Sequence, residues 1–229
     1  MTPEQESHVK SLDEAVAELL PLTRITAAPA PVQYQYVGTM VENTLVMLTA
    51  VANSVDGGDR YLTFSDFRNW VSAMAAVHRS FYSSIVMAVE ISLVEFCRDE
   101  GVMVTSGRLA QAESIISELD ESATAKIKKR ILSLAGGNPA FMDYVRAAVK
   151  ARISEAERRA IWVNFFDALT ILRNKASHSD VSLSEGERKR LVAGGCEVLV
   201  ADDGNLQLNS RNYKQVVDFV LMFYRELGI

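Results

Sequence analysis

The sequence of 229 residues is poor in the residues that build disulfide frameworks and metal sites. Its two cysteines, Cys97 and Cys196, cannot form a disulfide framework or a four-cysteine metal site. Its three histidines, at positions 8, 78 and 178, lie far apart, with no cysteine or carboxylate at metal-ligand spacing. Glycine-rich nucleotide-binding motifs and the GxSxG elbow of hydrolases are also missing from the sequence. We therefore predict no metal and no other cofactor.

The sequence also lacks long apolar runs and a secretory leader. Its first ten residues are polar, without the basic-then-apolar pattern of a signal peptide. The uninterrupted apolar stretches are too short to cross a bilayer, so we expect no membrane-spanning segment. With 48% apolar and 23% charged residues, the composition is that of a folded protein. The scarcity of cysteine favours a reducing, cytoplasmic location.

Charge is distributed unevenly along the chain. The net charge is −5, which argues against indiscriminate nucleic-acid binding. Residues 1–120 carry 7 basic and 16 acidic side chains, whereas residues 121–175 carry 11 basic and 5 acidic ones, a net charge of +6. This asymmetry indicates either a local anion-binding surface or the solvated faces of ordinary helices.

Helical signals dominate the sequence and predict an all-α fold with a single domain. Residues 1–32 are predicted to form an N-terminal helix, ended by Pro21, and a linker. Residues 33–178 are predicted to form a helical core, in which Asn138 and Pro139 would begin one of the helices. Residues 179–229 are predicted to form a helix, a small β-hairpin and a C-terminal helix.

Two local patterns define the C-terminal part of this prediction. Ser184 and Glu187 form a capping box, in which each residue satisfies a backbone N–H of the other at the start of a helix. Residues 197–200 and 206–208 are rich in Val and Leu and flank Asp203-Gly204, which is a hairpin signal. A two-stranded ribbon is marginal alone, so we expect it to pack on the helices.

A cluster of polar residues lies at the end of the helix that begins near residue 154. Asn174 and His178 are four residues apart and share one face of that helix. Arg173 lies about 140° away from His178 around an ideal helix. The two side chains converge only if Arg173 swings, if the helix end tightens, or if a second subunit contributes one of them. An arginine that holds phosphate oxygens and a histidine that exchanges protons near neutral pH suit phosphodiester chemistry.

The same residues also have ordinary structural explanations. Arg173 could form an ion pair with Asp167, Asp180 or a carboxylate elsewhere, and a cationic His178 could stabilise the C-terminal end of the helix. Glu90 could be a solvated or salt-bridged glutamate.

The segment Arg173-Asn-Lys-Ala-Ser-His178 resembles the motif of the HEPN superfamily, in which an arginine, a polar residue and three others precede a histidine. These all-helical domains occur in prokaryotic defence and toxin systems and in RNA-processing enzymes. The stretch Met87-Ala-Val-Glu90-Ile-Ser-Leu is similar to the HEPN helix whose acidic residue faces the active site, so Glu90 is matched to that residue. The resemblance implies a HEPN-like helical bundle.

What the resemblance implies is a metal-independent endoribonuclease in which two protomers pair around a shared cleft. His178 would assist proton transfer, Arg173 would stabilise the phosphorane, Asn174 would orient the histidine or the phosphate, and Glu90 would complete the site. It also implies a role in a toxin, defence or stress-response system, with an antitoxin or regulatory protein as a further partner. Basic residues of the positive segment would hold the RNA backbone: Lys128, Lys129, Arg130, Arg158, Arg159 and Lys175.

Two alternatives remain open. The chain could be a catalytically silent HEPN-like module that binds RNA, a nucleotide or a protein. It could also be an unrelated helical scaffold in which the motif is accidental.

Overall fold

The computed structural model describes residues 3–25, 30–56, 64–118, 125–135, 138–178, 181–196, 199–208 and 210–229. These residues form nine α-helices and a 3-10 turn, with no strand among them, so the all-α prediction is confirmed. The helices are α1 Pro3–Ile25, α2 Val32–Asp56, α3 Phe64–Asp99, α4 Gly107–Glu118, α5 Ala125–Ala135, α6 Phe141–Arg152, α7 Ala156–His178, α8 Glu185–Ala193 and α9 Tyr213–Leu227; the 3-10 turn is Ser210–Asn212.

The long helix α3 lies at the centre of the structure and packs against α2, α6, α7 and α9. Its side chains at four-residue intervals are almost completely buried, namely Phe81, Ile85, Val89 and Leu93. Because these positions share one face of a helix, they supply the apolar stripe on which the other helices pack.

The part of α3 over Ser72–Asp99 is, among the described residues, the one helix long and apolar enough to cross a membrane. More than half of its most apolar window is buried inside the protein, which is also the situation of a core helix. The expectation that the chain has no membrane-spanning segment stays a prediction.

An aromatic cluster joins α7 to α9. The rings of Trp162 and Phe223 lie 5.2 Å apart between centroids, and those of Phe165 and Phe219 lie 5.1 Å apart. Since the residue number rises along α7 while that of its partner falls along α9, the two helices run antiparallel. Each aromatic ring also removes a large apolar area from water, which makes this cluster a main source of stability.

Contacts between α3 and α9 show that these two helices run parallel. Near the start of α9 the hydroxyl of Tyr213 lies 2.5 Å from Nδ1 of His78, and near its end the hydroxyl of Tyr224 donates to Ser92 Oγ at 2.8 Å. The last turns of α7 therefore lie at the end of the bundle where α9 begins.

Helices α4 and α5 form a hairpin that packs mainly on itself. Ala112 of α4 is buried, whereas Ile115 of α4 and Ile127 of α5 are about half exposed. Helix α5 contains no acidic residue, so the hairpin presents a basic, amphipathic surface.

Two predicted helix ends were wrong. Pro21 does not end the first helix: α1 continues to Ile25 because Leu19 and Leu22 are both buried, and their packing outweighs the lost backbone hydrogen bond of an exposed proline. Helix α6 begins at Phe141, later than Asn138 and Pro139 predicted, because the N–H of Ala140 donates to the Asp143 carboxylate at 2.9 Å.

The predicted β-hairpin is not confirmed. Of its residues, 197 and 198 lie outside the described residues, and the remainder form an isolated antiparallel bridge between Val200 and Leu206. The predicted reversal at Asp203-Gly204 is present, because Gly204 has a φ of 80° and its N–H donates to the Ala201 carbonyl at 2.7 Å. The N–H of Leu206 donates to the carbonyl of Val181 at 2.7 Å, so this turn packs on the chain that follows α7.

Candidate active site at the end of the seventh helix

Helix α7 continues without interruption through the Arg173–His178 segment, and His178 is its last residue. Ile171, Leu172 and Ala176 are buried on the inner side of these turns, which fixes the rotation of the helix. Asn174 and His178 consequently face solvent, and Arg173 is half-buried. The burial of one face thus exposes the polar residues of the other.

The guanidinium of Arg173 is held by its neighbour. Both Nε and Nη2 of Arg173 donate to Oδ1 of Asn174, at 3.2 and 3.1 Å. This arrangement leaves Nη1 outside the bonds to the amide, so that its N–H groups can donate to an anion. The predicted role for Asn174 was to orient the histidine or the phosphate; in this structure its side chain orients Arg173.

Neither Arg173 nor His178 has an ion-pair partner within the part of the chain that the structure describes. Asp167, a candidate partner for Arg173, instead lies 3.4 Å from Nη1 of Arg190 on α8. Asp180, the other candidate, lies outside the described residues. Because no described carboxylate binds them, the guanidinium and the imidazole can both donate hydrogen bonds to an anionic ligand.

Lys175 belongs to a different environment from the two residues before it. Its ammonium donates to the carbonyl of Ser182 at 2.6 Å and lies 3.3 Å from a carboxylate oxygen of Glu187. Its side chain is 14% exposed, compared with 75% for Lys189 on α8. The ammonium is therefore engaged inside the protein.

The two basic residues predicted near the start of α7 also make internal bonds. Arg158 donates through Nε and Nη2 to the two carboxylate oxygens of Glu226, at 3.0 and 2.8 Å. Arg159 donates to the carbonyls of Ile153 and Ser154 at 2.9 and 2.8 Å. The contacts predicted between these two arginines and RNA stay predictions. To bind RNA, each arginine would have to donate to the RNA as well as to its intramolecular partner, or leave that partner.

Three of the predicted RNA-binding residues lie on α5. Lys129 and Arg130 are exposed and Lys128 is half-buried on a helix that has no carboxylate of its own. They lie on the α4–α5 hairpin, apart from the packed core. Of the predicted RNA-binding residues, Lys129 and Arg130 on α5 and Arg158 on α7 are exposed.

Glu90 is half-buried on α3 and lies some distance from the Arg173–His178 segment along the helices. Its neighbour Ser92 bonds to Tyr224, and the adjacent Phe223 packs on Phe166 of α7 at 4.7 Å between centroids. About two helical turns separate Phe166 from Arg173. Among the described residues, Glu90 makes no hydrogen bond or ion pair with the motif.

One buried polar pair was not identified from the sequence. Tyr213 is fully buried, stacks on Phe81 at 3.9 Å, and shares a hydrogen bond with His78. Burial lowers the pKa of His78 to about 4, so the imidazole is neutral at physiological pH. The pair joins α3 to α9, and no local sequence signal reports such a contact, because its partners are 135 residues apart.

No protein-family model matches the chain, and neither a curated protein nor a solved structure gives a significant match.

Proposed function

We propose that this protein is a metal-independent endoribonuclease of the HEPN type that acts as a homodimer. The observation that carries the proposal is the end of α7, where Arg173 and His178 face an accessible surface without a carboxylate partner among the described residues. Other cationic groups of the same helix are engaged in internal bonds. A guanidinium and an imidazole that no described carboxylate neutralises can both bind an anionic phosphate.

The chemistry follows from the two side chains. His178 accepts the proton of the RNA 2′-hydroxyl as that oxygen attacks the adjacent phosphorus, and a second imidazole donates a proton to the departing 5′-oxygen. Arg173 stabilises the negative charge of the phosphorane, a contribution on the order of 10²–10³ in rate. The products are a 2′,3′-cyclic phosphate and a 5′-hydroxyl, and no step requires a metal ion.

Helix geometry supports the requirement for two protomers. Because α7 remains helical to His178, the directions of Arg173 and His178 differ by about 140° around its axis. A second copy related by a twofold axis brings an Arg173 and a His178 from different chains to one phosphate. It also supplies a second imidazole, which protonates the departing oxygen faster than water does.

The remaining parts of the proposal concern RNA and biological role. The basic residues of α5 attract the RNA backbone, which gives affinity without sequence specificity. An activity of this kind must be restrained in the cell, which favours a toxin, defence or stress-response system with an antitoxin or regulatory protein, acting in the cytoplasm.

A second candidate function is a non-catalytic HEPN-like module that binds RNA, a nucleotide or a protein. The absence of a contact between Glu90 and the motif favours it, because among the described residues Glu90 makes no hydrogen bond or ion pair with Arg173 or His178. Binding requires only the exposed cationic surface, whereas catalysis requires a complete set of groups around one phosphate.

A cleavage assay in EDTA distinguishes the two functions. We expect the wild-type protein to cleave single-stranded RNA and leave cyclic phosphate ends, and His178→Ala and Arg173→Ala to be inactive. Arg146→Ala is the matched control, because Arg146 is an exposed arginine on α6, outside the motif. Tight RNA binding without cleavage by the wild-type protein would support the binding module instead.

Mixed dimers test the shared site. Each inactive variant carries a different affinity tag, and the two are co-expressed so that heterodimers can be isolated. Such a heterodimer keeps one intact guanidinium and one intact imidazole at the twofold axis, so we expect it to recover part of the activity. Heterodimers as inactive as both parents would contradict a site shared between protomers.

A further inference from the structure

Residues 181–184, which follow the Arg173–His178 segment, are each fixed by a hydrogen bond or by burial. The carbonyl of Val181 accepts from Leu206, and the carbonyl of Ser182 accepts from Lys175. Leu183 is buried, with 6% exposure, and Ser184 caps α8. We name residues 175, 181–184 and 187 the α7–α8 junction.

Glu187 connects the two sides of this junction. One of its carboxylate oxygens accepts from the N–H and the hydroxyl of Ser184, both at 2.8 Å, and the other lies 3.3 Å from the ammonium of Lys175. Hydrogen bonds from Ser184, supported by Lys175, hold the pKa of Glu187 below its ordinary value. The carboxylate is therefore charged at neutral pH and completes the capping box while it binds the lysine.

Lys175 connects this junction to the proposed site. It directly follows Asn174 and precedes His178 by three residues, within the last turn and a half of α7. The last carbonyls of a helix have no intrahelical partner, so a terminal turn frays unless other contacts hold it. Here the contacts come from the ammonium of Lys175, whose bonds lie beyond the helix end.

We propose that Lys175 is a positioning residue, which fixes Asn174 and His178 by joining the last turn of α7 to Ser182 and Glu187 and does not itself bind RNA. The inference rests on the proposed function and differs from the phosphate contact predicted for this lysine from the sequence. The two roles make different demands on Glu187. A lysine that positions the helix end needs the carboxylate of Glu187. A lysine that binds phosphate would bind it more weakly because of that carboxylate.

Steady-state cleavage by four variants separates the roles. We expect Lys175→Met and Glu187→Gln each to lower kcat about ten- to a hundredfold, with KM and salt dependence unchanged, because small displacements of catalytic groups have large effects on rate. The double variant should be no worse than either single one, since both remove the same contact. Lys175→Arg should restore most of the activity.

The matched control is Lys189→Met, which removes a lysine from α8 whose ion pair with Glu185 is on the surface. It should cleave RNA like the wild type. A phosphate contact by Lys175 would give another result: Lys175→Met would raise KM and reduce the salt slope by about one, and Glu187→Gln would do neither. That result would overturn the proposal.

An NMR measurement tests positioning without reference to cleavage. The chain has three histidines, so the imidazole signal of His178 can be assigned by its loss in His178→Ala. We expect this signal to shift or broaden in both Lys175→Met and Glu187→Gln, and to remain unchanged in Lys189→Met. An unchanged signal in both junction variants would overturn the proposal, whether or not the protein cleaves RNA.

A wild-type protein that fails to cleave RNA would count against the proposed function alone. A shifted His178 signal would then still establish that Lys175 positions the end of α7. If Lys175→Met does not fold, the kinetic and NMR comparisons apply to Glu187→Gln and Lys175→Arg, which keep a polar group at each position.

Discussion

The two ends of α7 use arginine in different ways. At its start, Arg158 makes two hydrogen bonds to Glu226, whose carboxylate also accepts from Trp162 Nε1 at 2.9 Å. At its end, Arg173 bonds to a neutral amide, and its charge is not balanced by any carboxylate that the structure describes. Both arginines belong to the same positively charged segment of the sequence.

The comparison teaches that the net charge of a segment does not predict its available charge. An arginine whose carboxylate partner lies on a packed neighbouring helix contributes to the fold, and its donors are already used. An arginine held by an amide keeps its full charge for an external anion. The functional surface of α7 is therefore expected at its C-terminal end.

Exchanging each arginine for methionine should separate stability from activity. We expect Arg173→Met to reduce RNA cleavage by about 10²–10³ and to change the free energy of unfolding by less than about 0.5 kcal/mol. Arg158→Met should destabilise the fold slightly, because it leaves Glu226 with one fewer partner, and should reduce cleavage far less than Arg173→Met does. Urea unfolding and the EDTA cleavage assay measure the two effects, and equal losses of activity in both variants would remove the distinction between the helix ends.

Packing of α8 on the middle of α7 can be tested at Gly194, the residue that follows α8 as its C-cap. A Cβ at this position would lie 2.4 Å from Cβ of Ala168 and 2.7 Å from the carbonyl oxygen of Asn164. We expect Gly194→Ala to lower the free energy of unfolding by about 1–3 kcal/mol, since the neighbouring backbone cannot easily move.

Gly186→Ala is the control for this substitution, because Gly186 lies within α8 and a Cβ there has no atom within 4 Å. It should be neutral or stabilising by up to about 1 kcal/mol. A similar response of the two glycines in urea unfolding would show that α8 is not closely packed on α7.

The smallest expected effect is the loss of folding stability at low pH that comes from the ion pair at the start of α7. Although partial burial alone would raise the pKa of Glu226, hydrogen bonds from Arg158 and Trp162 hold it below the ordinary value of 4.5. The charged carboxylate therefore stabilises the fold at neutral pH, and this contribution is lost as the pH falls from 4.5 through the lower folded-state pKa.

We expect Glu226→Gln to flatten this dependence by a few tenths of a kcal/mol, because exposed pairs contribute little. Unfolding by urea at a series of pH values between 3 and 7 measures it. An identical pH profile in the variant would show that Glu226 and Arg158 are not coupled.

Local signals predicted much of the fold. The capping box of Ser184 and Glu187 and the reversal at Gly204 depend on residues a few positions apart, so the sequence alone was sufficient. Pro21 was misjudged because the packing of its neighbours, a tertiary effect, determines where α1 ends. The predicted hairpin is reduced to an isolated bridge, and the bond of Leu206 to Val181 is a contact that local signals do not report.

The candidate site was predictable only in part. The exposure of Asn174 and His178 follows from helical spacing, which the sequence displays. The partners of Lys175 and Arg158 do not, because Glu187 is 12 positions from the lysine and Glu226 is 68 positions from the arginine. Contacts between residues far apart in the sequence therefore determine which basic residues bind a partner inside the protein.

The aromatic cluster between α7 and α9 has a consequence for synthesis. Trp162 and Phe165 gain their cover from Phe219 and Phe223, which leave the ribosome more than fifty residues later. Until then these two rings lack the cover of α9, although α3, α6 and α8 can already pack on the helix that carries the motif. The proposed ribonuclease would therefore acquire the full packing of α7 only after residue 223 has been synthesised.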